Sequence, residues 1–305
     1  MNIVVTGGTG FIGHALVDEL ARQGHEVVVL SRKPGPPAHS PVRYVEWDAR
    51  TPGPWQAAVA AADAVINLAG EPIAEGRWTE TRKRILLDSR ILSTRMLVDA
   101  LAARPAPLPV LVSASGIGYY GPSDDRQLDE RSPLGEGFLA QLSAAWEAEA
   151  LRAGQFGTRV VLLRTGMVLE QDGGALPKMM RPFLLFAGGP VLPGTQWVSW
   201  IHRADLIGLI QWAIATPTLS GPMNAVASEA VTMKVFCGIL GKVLHRPSWL
   251  PVPGLALRLA LGELGTLMTT GQRVGPAKAR VGGYTFRYPT VEPALRAIFA
   301  KENRT

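Results

Sequence analysis

Seven residues near the amino terminus, Gly7-Gly8-Thr9-Gly10-Phe11-Ile12-Gly13, follow a short apolar run and open a helix-period stretch. Glycines at this spacing, between a strand and a helix, suit one kind of chemistry. The first ones let the chain turn tightly and bring backbone N–H groups against a pyrophosphate. The last lets helix and strand pack closely, and the helix N-terminus adds the positive end of its dipole. The turn therefore predicts a dinucleotide site in which Gly7, Thr9, Gly10, Phe11, Ile12 and Gly13 meet the phosphates. The end of the second apolar run selects the dinucleotide. An NAD site places Asp or Glu about 20 residues beyond the motif, on the ribose 2′-hydroxyl. This chain has Ser31-Arg32-Lys33 there. A guanidinium fits a 2′-phosphate by charge and by its forked donors, so Ser31 and Arg32 point to NADP(H), the alternative being ordinary loop cations. Asp48 is a candidate acceptor for the adenine amine. Leu68, Ala69 and Gly70 supply small or apolar residues where the chain passes the cofactor, although both segments also read as turns.

Placing these residues requires a particular set of elements. Ile3 to Thr6, Glu26 to Ser31, Val42 to Trp47, Ala64 to Leu68, Val110 to Ala114 and Arg159 to Arg164 read as strands, and Phe11 to Gln23, Trp55 to Ala61, Thr79 to Ala103 and Phe138 to Ala153 as helices. Strands separated by helical crossovers imply a parallel sheet. The expected fold is α/β, a doubly wound parallel sheet of the Rossmann type with a smaller C-terminal lobe on the substrate side. After Gly166 the pattern loosens into Pro/Gly-rich turns. From Pro222 a short strand, a helix at Thr232 to Leu244, a Pro-rich bend at Pro247 to Pro253 and further amphipathic helices close the chain. The expected division is a dinucleotide-binding domain over 1–221, with substrate-lobe insertions after 166, and a basic lobe over 222–305 closing the cleft.

Composition supports a large buried sheet: 47% of residues are hydrophobic and 18% charged, far from the polar bias of disordered chains. Apolar runs are strand-length, too short for a membrane span, and no export signal precedes the first strand. A lone cysteine, Cys237, implies neither disulfide nor CxxC metal site, so the expected compartment is the reducing cytoplasm. Pro222 to Thr305 holds eleven Lys/Arg against four Asp/Glu, while the preceding part holds twenty against twenty-one. That surplus is either a solvated face or a sign of an anionic partner. Neither nucleic acid nor membrane is expected as a partner, since no aromatic-interleaved basic stretch or zinc spacing occurs.

Together these residues resemble the extended short-chain dehydrogenase/reductase superfamily, which includes the epimerases and dehydratases of sugar nucleotides. The resemblance covers nearly the whole chain. It narrows to epimerase-like proteins carrying a C-terminal domain of unknown function, through Asn67-Leu68-Ala69-Gly70-Glu71-Pro72-Ile73, Ser113-Ala114-Ser115-Gly116-Ile117-Gly118-Tyr119-Tyr120-Gly121, Trp200-Ile201-His202-Arg203-Ala204-Asp205-Leu206 and Arg246-Pro247-Ser248-Trp249-Leu250-Pro251-Val252-Pro253. The resemblance implies a Ser or Thr after strand five that bonds the substrate oxygen, and a Tyr-x-x-x-Lys pair on the next helix that moves the proton. Ser115, ahead of Ser113, matches the first. The pair is missing: Phe138 to Glu147 contains neither Tyr nor Lys, and its slots hold Phe138 and Leu142, or Leu139 and Ser143, none a proton donor at a useful pKa. Tyr119 and Tyr120 beside Ser115 are the remaining catalytic candidates. Glu71, Arg77, Lys83, His202 and Arg273 are candidates for the substrate side, and Arg164 for the nicotinamide side. Each also has an ordinary structural reading, as a packed aromatic, a solvated cation or a satisfied histidine.

Two functions follow. One is an NADP(H)-dependent oxidoreductase or epimerase-like enzyme for a small hydroxyl or carbonyl compound, a nucleotide sugar or another small-molecule substrate of anionic character. The other is a non-catalytic NADP(H)-binding protein, a redox sensor or scaffold, some family members being connected with division. By analogy with the superfamily, the helices beside strands four and five are the candidate homodimer surface.

Overall fold

The structure, a computed structural model, describes residues 1–32 and 41–300; Lys33 lies outside the described residues. Seven parallel strands form the main sheet: β1 (Asn2–Thr6), β2 (Glu26–Ser31), β3 (Val42–Glu46), β4 (Ala64–Asn67), β5 (Val110–Gly116), β6 (Arg159–Thr165) and β7 (Gly221–Ala225). Their order is β7-β6-β5-β4-β1-β2-β3. The direction of winding reverses between β1 and β4, so the carboxyl ends of these two strands open the crevice in which this class binds ligands.

The apolar runs are continuous because both faces of the sheet are buried. Ile3, Val5, Val27, Val29, Ile66, Val112 and Leu163 pack on one face under helices α1 (Phe11–Arg22) and α6 (Arg203–Ala215). Val4, Val28, Leu30, Val65, Leu111 and Leu162 alternate to the other, under α2 (Trp55–Ala60), α3 (Glu80–Ala102) and the residues after α4 (Phe138–Leu151). Burying each such aliphatic side chain contributes about 1.5–3 kcal/mol. Thr79 caps α3 by accepting the Arg82 N–H, the N-cap role that its hydroxyl suits.

One helix was not read from the sequence, and one expected boundary meets a strand. Helix α6, the crossover from β6 to β7, has no clear apolar stripe in its sequence because Leu206, Ile207, Leu209, Ile210 and Ala213 are all buried. Strand β7 pairs with β6 from Gly221↔Val161 to Ala225↔Thr165, so the division expected at 221/222 falls at the first residue of a sheet strand. The smaller lobe has its own core of Leu169, Phe183, Trp200, Phe236, Leu240, Val291 and Leu295. It is built from α5 (Leu176–Leu184), α7 (Met233–Leu244) and α10 (Val291–Ala300). Helices α8 (Gly254–Leu261) and α9 (Glu263–Thr269) extend from it toward the start of α3. No described helix is long and apolar enough to cross a membrane.

Candidate functional site

At the crevice the backbone itself forms a cradle. Gly7 has φ +67° and a Cβ there would stand 2.6 Å from the Leu68 carbonyl oxygen, while one on Gly13 would stand 2.1 Å from the Gly7 carbonyl oxygen. Any side chain at either position breaks the contact between turn, helix and β4. Gly10 differs: a Cβ there would meet only the Gly7 oxygen, at 3.2 Å, and Thr9 and Gly10 are exposed. The protein crowds its own turn on one side and leaves the other open. Gly10 is also the N-cap of α1, which has no side-chain cap, and the first N–H groups of a helix lack intrahelical partners. Such a cradle fits a pyrophosphate. Ile12 packs into the sheet core. The Phe11 ring lies under the Arg203 guanidinium, 5.1 Å from its centroid, and against Gly173 and Gly174. Arg203 is fixed by Asp172 at 2.7 Å, so the loop after β6 is held over the mouth of α1.

Beside the cradle, Asn67 is a buried pin. It accepts from the Thr6 hydroxyl at 2.7 Å and donates to Thr94 at 2.9 Å and Ser113 at 3.3 Å, tying β1, β4, β5 and α3 together. The Thr6 hydroxyl also accepts the Ala69 N–H, which directs Leu68-Ala69-Gly70 past Gly7. Gly70 lies against the guanidinium of buried Arg90. Burial pushes the Arg90 pKa down to about 10. At the end of β2, Arg32 is exposed and faces Glu71, 3.6 Å away. The Asp48 carboxylate accepts the N–H groups of Arg50 and Thr51 and the Thr51 hydroxyl. Those bonds hold its pKa below the usual range.

At the carboxyl ends of β5 and β6 the candidates Ser115, Tyr119, Tyr120 and Arg164 come together, around a residue the sequence reading did not single out. Glu147, on α4, is buried; it accepts the Ser115 hydroxyl at 2.7 Å and two bonds from Arg164, each 2.8 Å. Arg164 also donates to the Tyr120 hydroxyl at 3.1 Å and stacks 3.4 Å from the centroid of Tyr119. Tyr120 donates to Asn224 at 2.7 Å, and Asn224 donates to the Gly275 carbonyl. Burial pushes the Tyr120 pKa up to about 12, against the opposing pull of Arg164. Burial also opposes the charge on Arg164, but its bonds to Glu147 and Tyr120 outweigh that and raise its pKa. The missing signal was periodicity: Ala140, Ser143, Glu147 and Ala150 form one buried stripe of α4, and an acid on such a stripe requires a cation.

The remaining candidates are dispersed. Nδ1 of buried His202 accepts the Ala204 N–H at the start of α6, and its ring packs 4.1 Å from that of Tyr288. It belongs to the lobe core and not to the Ser115 cluster. Glu71 sits at the Arg32 end of the crevice, not beside Ser115. Arg77 reaches the Leu259 carbonyl at 3.5 Å and Lys83 reaches Glu263 at 2.6 Å, both bridging to α8 and α9. Arg273 stacks 4.6 Å from the centroid of Trp197.

Residues 3–225 match the NAD dependent epimerase/dehydratase family, and residues 252–298 match a domain of unknown function, DUF1731. Similar proteins include the chloroplastic epimerase family protein SDR39U1 homolog of Arabidopsis thaliana, 42% identical over 98% of this chain and 86% of that one. Epimerase family protein YfhF of Bacillus subtilis is 40% identical over 98% of each chain. The crystal structure of human epimerase family protein SDR39U1 with NADPH superposes with a TM-score of 0.89 at 37% identity, covering 98% of this chain and 99% of that one. MoeE5, solved with UDP-glucose and NAD, shares the fold at TM-score 0.80 and 21% identity, covering 100% of this chain and 99% of that one. The chain belongs to the NAD dependent epimerase/dehydratase family.

Proposed function

We propose that this protein is an NADP(H)-dependent oxidoreductase, acting on a small hydroxyl or carbonyl compound through Ser115 and Glu147 in place of a Tyr-x-x-x-Lys pair. The observation that carries the proposal is the Ser115–Glu147 hydrogen bond of 2.7 Å, at the carboxyl edge that also bears the glycine cradle. Arg32 in place of an acid supports the phosphorylated cofactor, as does the NADPH in the similar human protein. When bound, the cofactor supplies or takes a hydride. The chain's own groups then have to move one proton. Ser115 directs its hydroxyl proton to Glu147, so its oxygen lone pairs are available to a substrate hydroxyl. As that hydroxyl passes its proton to the Ser115 oxygen, the serine proton moves to Glu147 Oε1; carbonyl reduction runs the same relay backwards. Arg164 fixes the carboxylate by both oxygens, and Tyr120 and Asn224 fix Arg164. In either register of α4, Phe138 with Leu142 or Leu139 with Ser143, the usual dyad lacks its acid and its cation.

The test is turnover of NADPH with a panel of small carbonyl compounds, and of NADP⁺ with the corresponding alcohols, for the unmodified protein, Ser115→Ala and Glu147→Gln. Turnover that both variants lose while keeping NADPH affinity supports the relay. Turnover that survives in Ser115→Ala overturns it. Cofactor binding without turnover on any compound favours the non-catalytic reading, in which the same saturated network only braces the cleft.

A further inference from the structure

We propose that Arg82 is a second ligand for the 2′-phosphate of NADPH, and that Glu71 is an internal competitor whose carboxylate occupies the Arg32–Arg82 fork until that phosphate displaces it. The inference rests on the NADP(H) reading above. Glu71 Oε1 lies 3.6 Å from Arg32 Nη1 and Oε2 lies 3.5 Å from Arg82 Nη1, so the two guanidiniums approach one carboxylate from two sides. Arg90 adds a third, donating to the Glu71 carbonyl at 2.9 Å. Three cations thus gather on one acidic residue, at the end of β2 where this fold places the adenosine ribose.

Both contacts to the carboxylate are longer than the roughly 2.7–2.9 Å of a charge-assisted bond. The carboxylate spans the fork without filling it. A phosphate monoester carries about −1.5 to −2 charges and three acceptor oxygens, and would engage both guanidiniums more fully. Arg82 is pre-positioned for this. Its Nη2 donates to the Pro72 carbonyl at 2.6 Å, its side chain is only one-fifth exposed, and its Nε is buried with no partner among the described residues. A 2′-hydroxyl carries no charge with which to compete, so NADH leaves Glu71 where it is.

Titration of NADPH and NADH against Arg82→Ala and Glu71→Gln tests this. Arg82→Ala should weaken NADPH about tenfold or more, the loss expected of a charged hydrogen bond, and change NADH by less than about twofold. Glu71→Gln should tighten NADPH severalfold without tightening NADH, and a gain of affinity cannot arise from a damaged fold. Equal weakening of both cofactors in Arg82→Ala, or NADPH affinity unchanged or lower in Glu71→Gln, overturns the inference. If the unmodified protein prefers NADPH and both variants are silent, only this inference fails. Equal affinity of the unmodified protein for both cofactors removes the NADP(H) reading together with it.

Discussion

The two ends of the crevice are finished in opposite ways. At the glycine turn the chain leaves backbone donors uncapped, and keeps open the space where a Gly10 side chain would stand. At the ends of β5 and β6 it does the reverse: Ser115, Glu147, Arg164, Tyr120 and Asn224 satisfy one another in an unbroken chain of bonds. The first end awaits an anion from outside, whereas the second has supplied its own. A dinucleotide bound at the open end would need no rearrangement of the glycine turn, while any chemistry at Ser115 has to be added to a network that is already complete.

The sharpest way to break this contrast is to remove the internal anion. Glu147→Leu should destabilise the fold by about 3–5 kcal/mol, because Arg164 would be left buried without its carboxylate. Denaturant unfolding measures it. The double variant Glu147→Leu/Arg164→Met should be less destabilised than Glu147→Leu alone, since replacing a buried pair by apolar residues is often neutral or stabilising. A Glu147→Leu protein as stable as the original would mean that water reaches Arg164 and that the network is not closed.

The opposite experiment acts on the open end. Gly10→Val should lower NADPH affinity by at least about a hundredfold, since a side chain would occupy the pyrophosphate's place, with little change in circular dichroism. Gly13→Val, whose Cβ would stand 2.1 Å from the Gly7 oxygen, should instead fail to fold properly. If both variants fold and bind alike, the cradle is not where the phosphates sit.

The same contrast explains what was legible in the sequence. The cradle is made by seven consecutive residues between a strand and a helix, so its chemistry is local and the motif exposes it. The strands were readable because sheet burial on both faces leaves unbroken apolar runs in Ile3–Val5 and Val27–Leu30. The network is assembled from β5, α4, β6 and β7, with partners up to 104 positions apart in the chain, and nothing near Glu147 in the chain announces Arg164. Local reading found Ser115, Tyr120 and Arg164 as separate candidates through the family resemblance. Glu147, which joins them, belongs to no motif, and its mark in the sequence is its place on the buried stripe of α4. Helix α6 escaped for a related reason: burial on nearly every side erases the amphipathic pattern by which surface helices are recognised.

A smaller effect is expected at the exposed edge of the open end. Arg32→Ala should weaken NADPH by about 1.5–3 kcal/mol, the worth of a hydrogen bond to a charged group, and leave NADH nearly unchanged. Fluorescence titration with each cofactor separates the two. Arg32→Lys should recover only part of the loss, because an ammonium cannot present two parallel donors. Equal losses for both cofactors would place Arg32 outside the 2′-phosphate contact.

The weakest link predicted to matter joins the two halves of the molecule. Lys83, in the first turn of α3, bonds Glu263 in α9 at 2.6 Å and Glu80 at 3.3 Å, while Arg77 reaches the Leu259 carbonyl. These contacts connect the start of α3 to α8 and α9, but Glu263 is more than half exposed. Exposed pairs contribute about 0.2–1 kcal/mol and less at high ionic strength. Glu263→Gln should therefore barely change global stability, and should make Gly254–Thr269 more susceptible to limited proteolysis at low salt, with NADPH affinity unchanged. The bond to Glu263 raises the Lys83 pKa. Its stabilisation is fully present below the ordinary lysine value and is lost as pH rises through the higher folded one, so the difference between Glu263→Gln and the unmodified protein should persist across neutral pH and vanish in strong alkali. Cleavage in that segment at the same rate with and without Glu263 would show that α8 and α9 are held by packing alone.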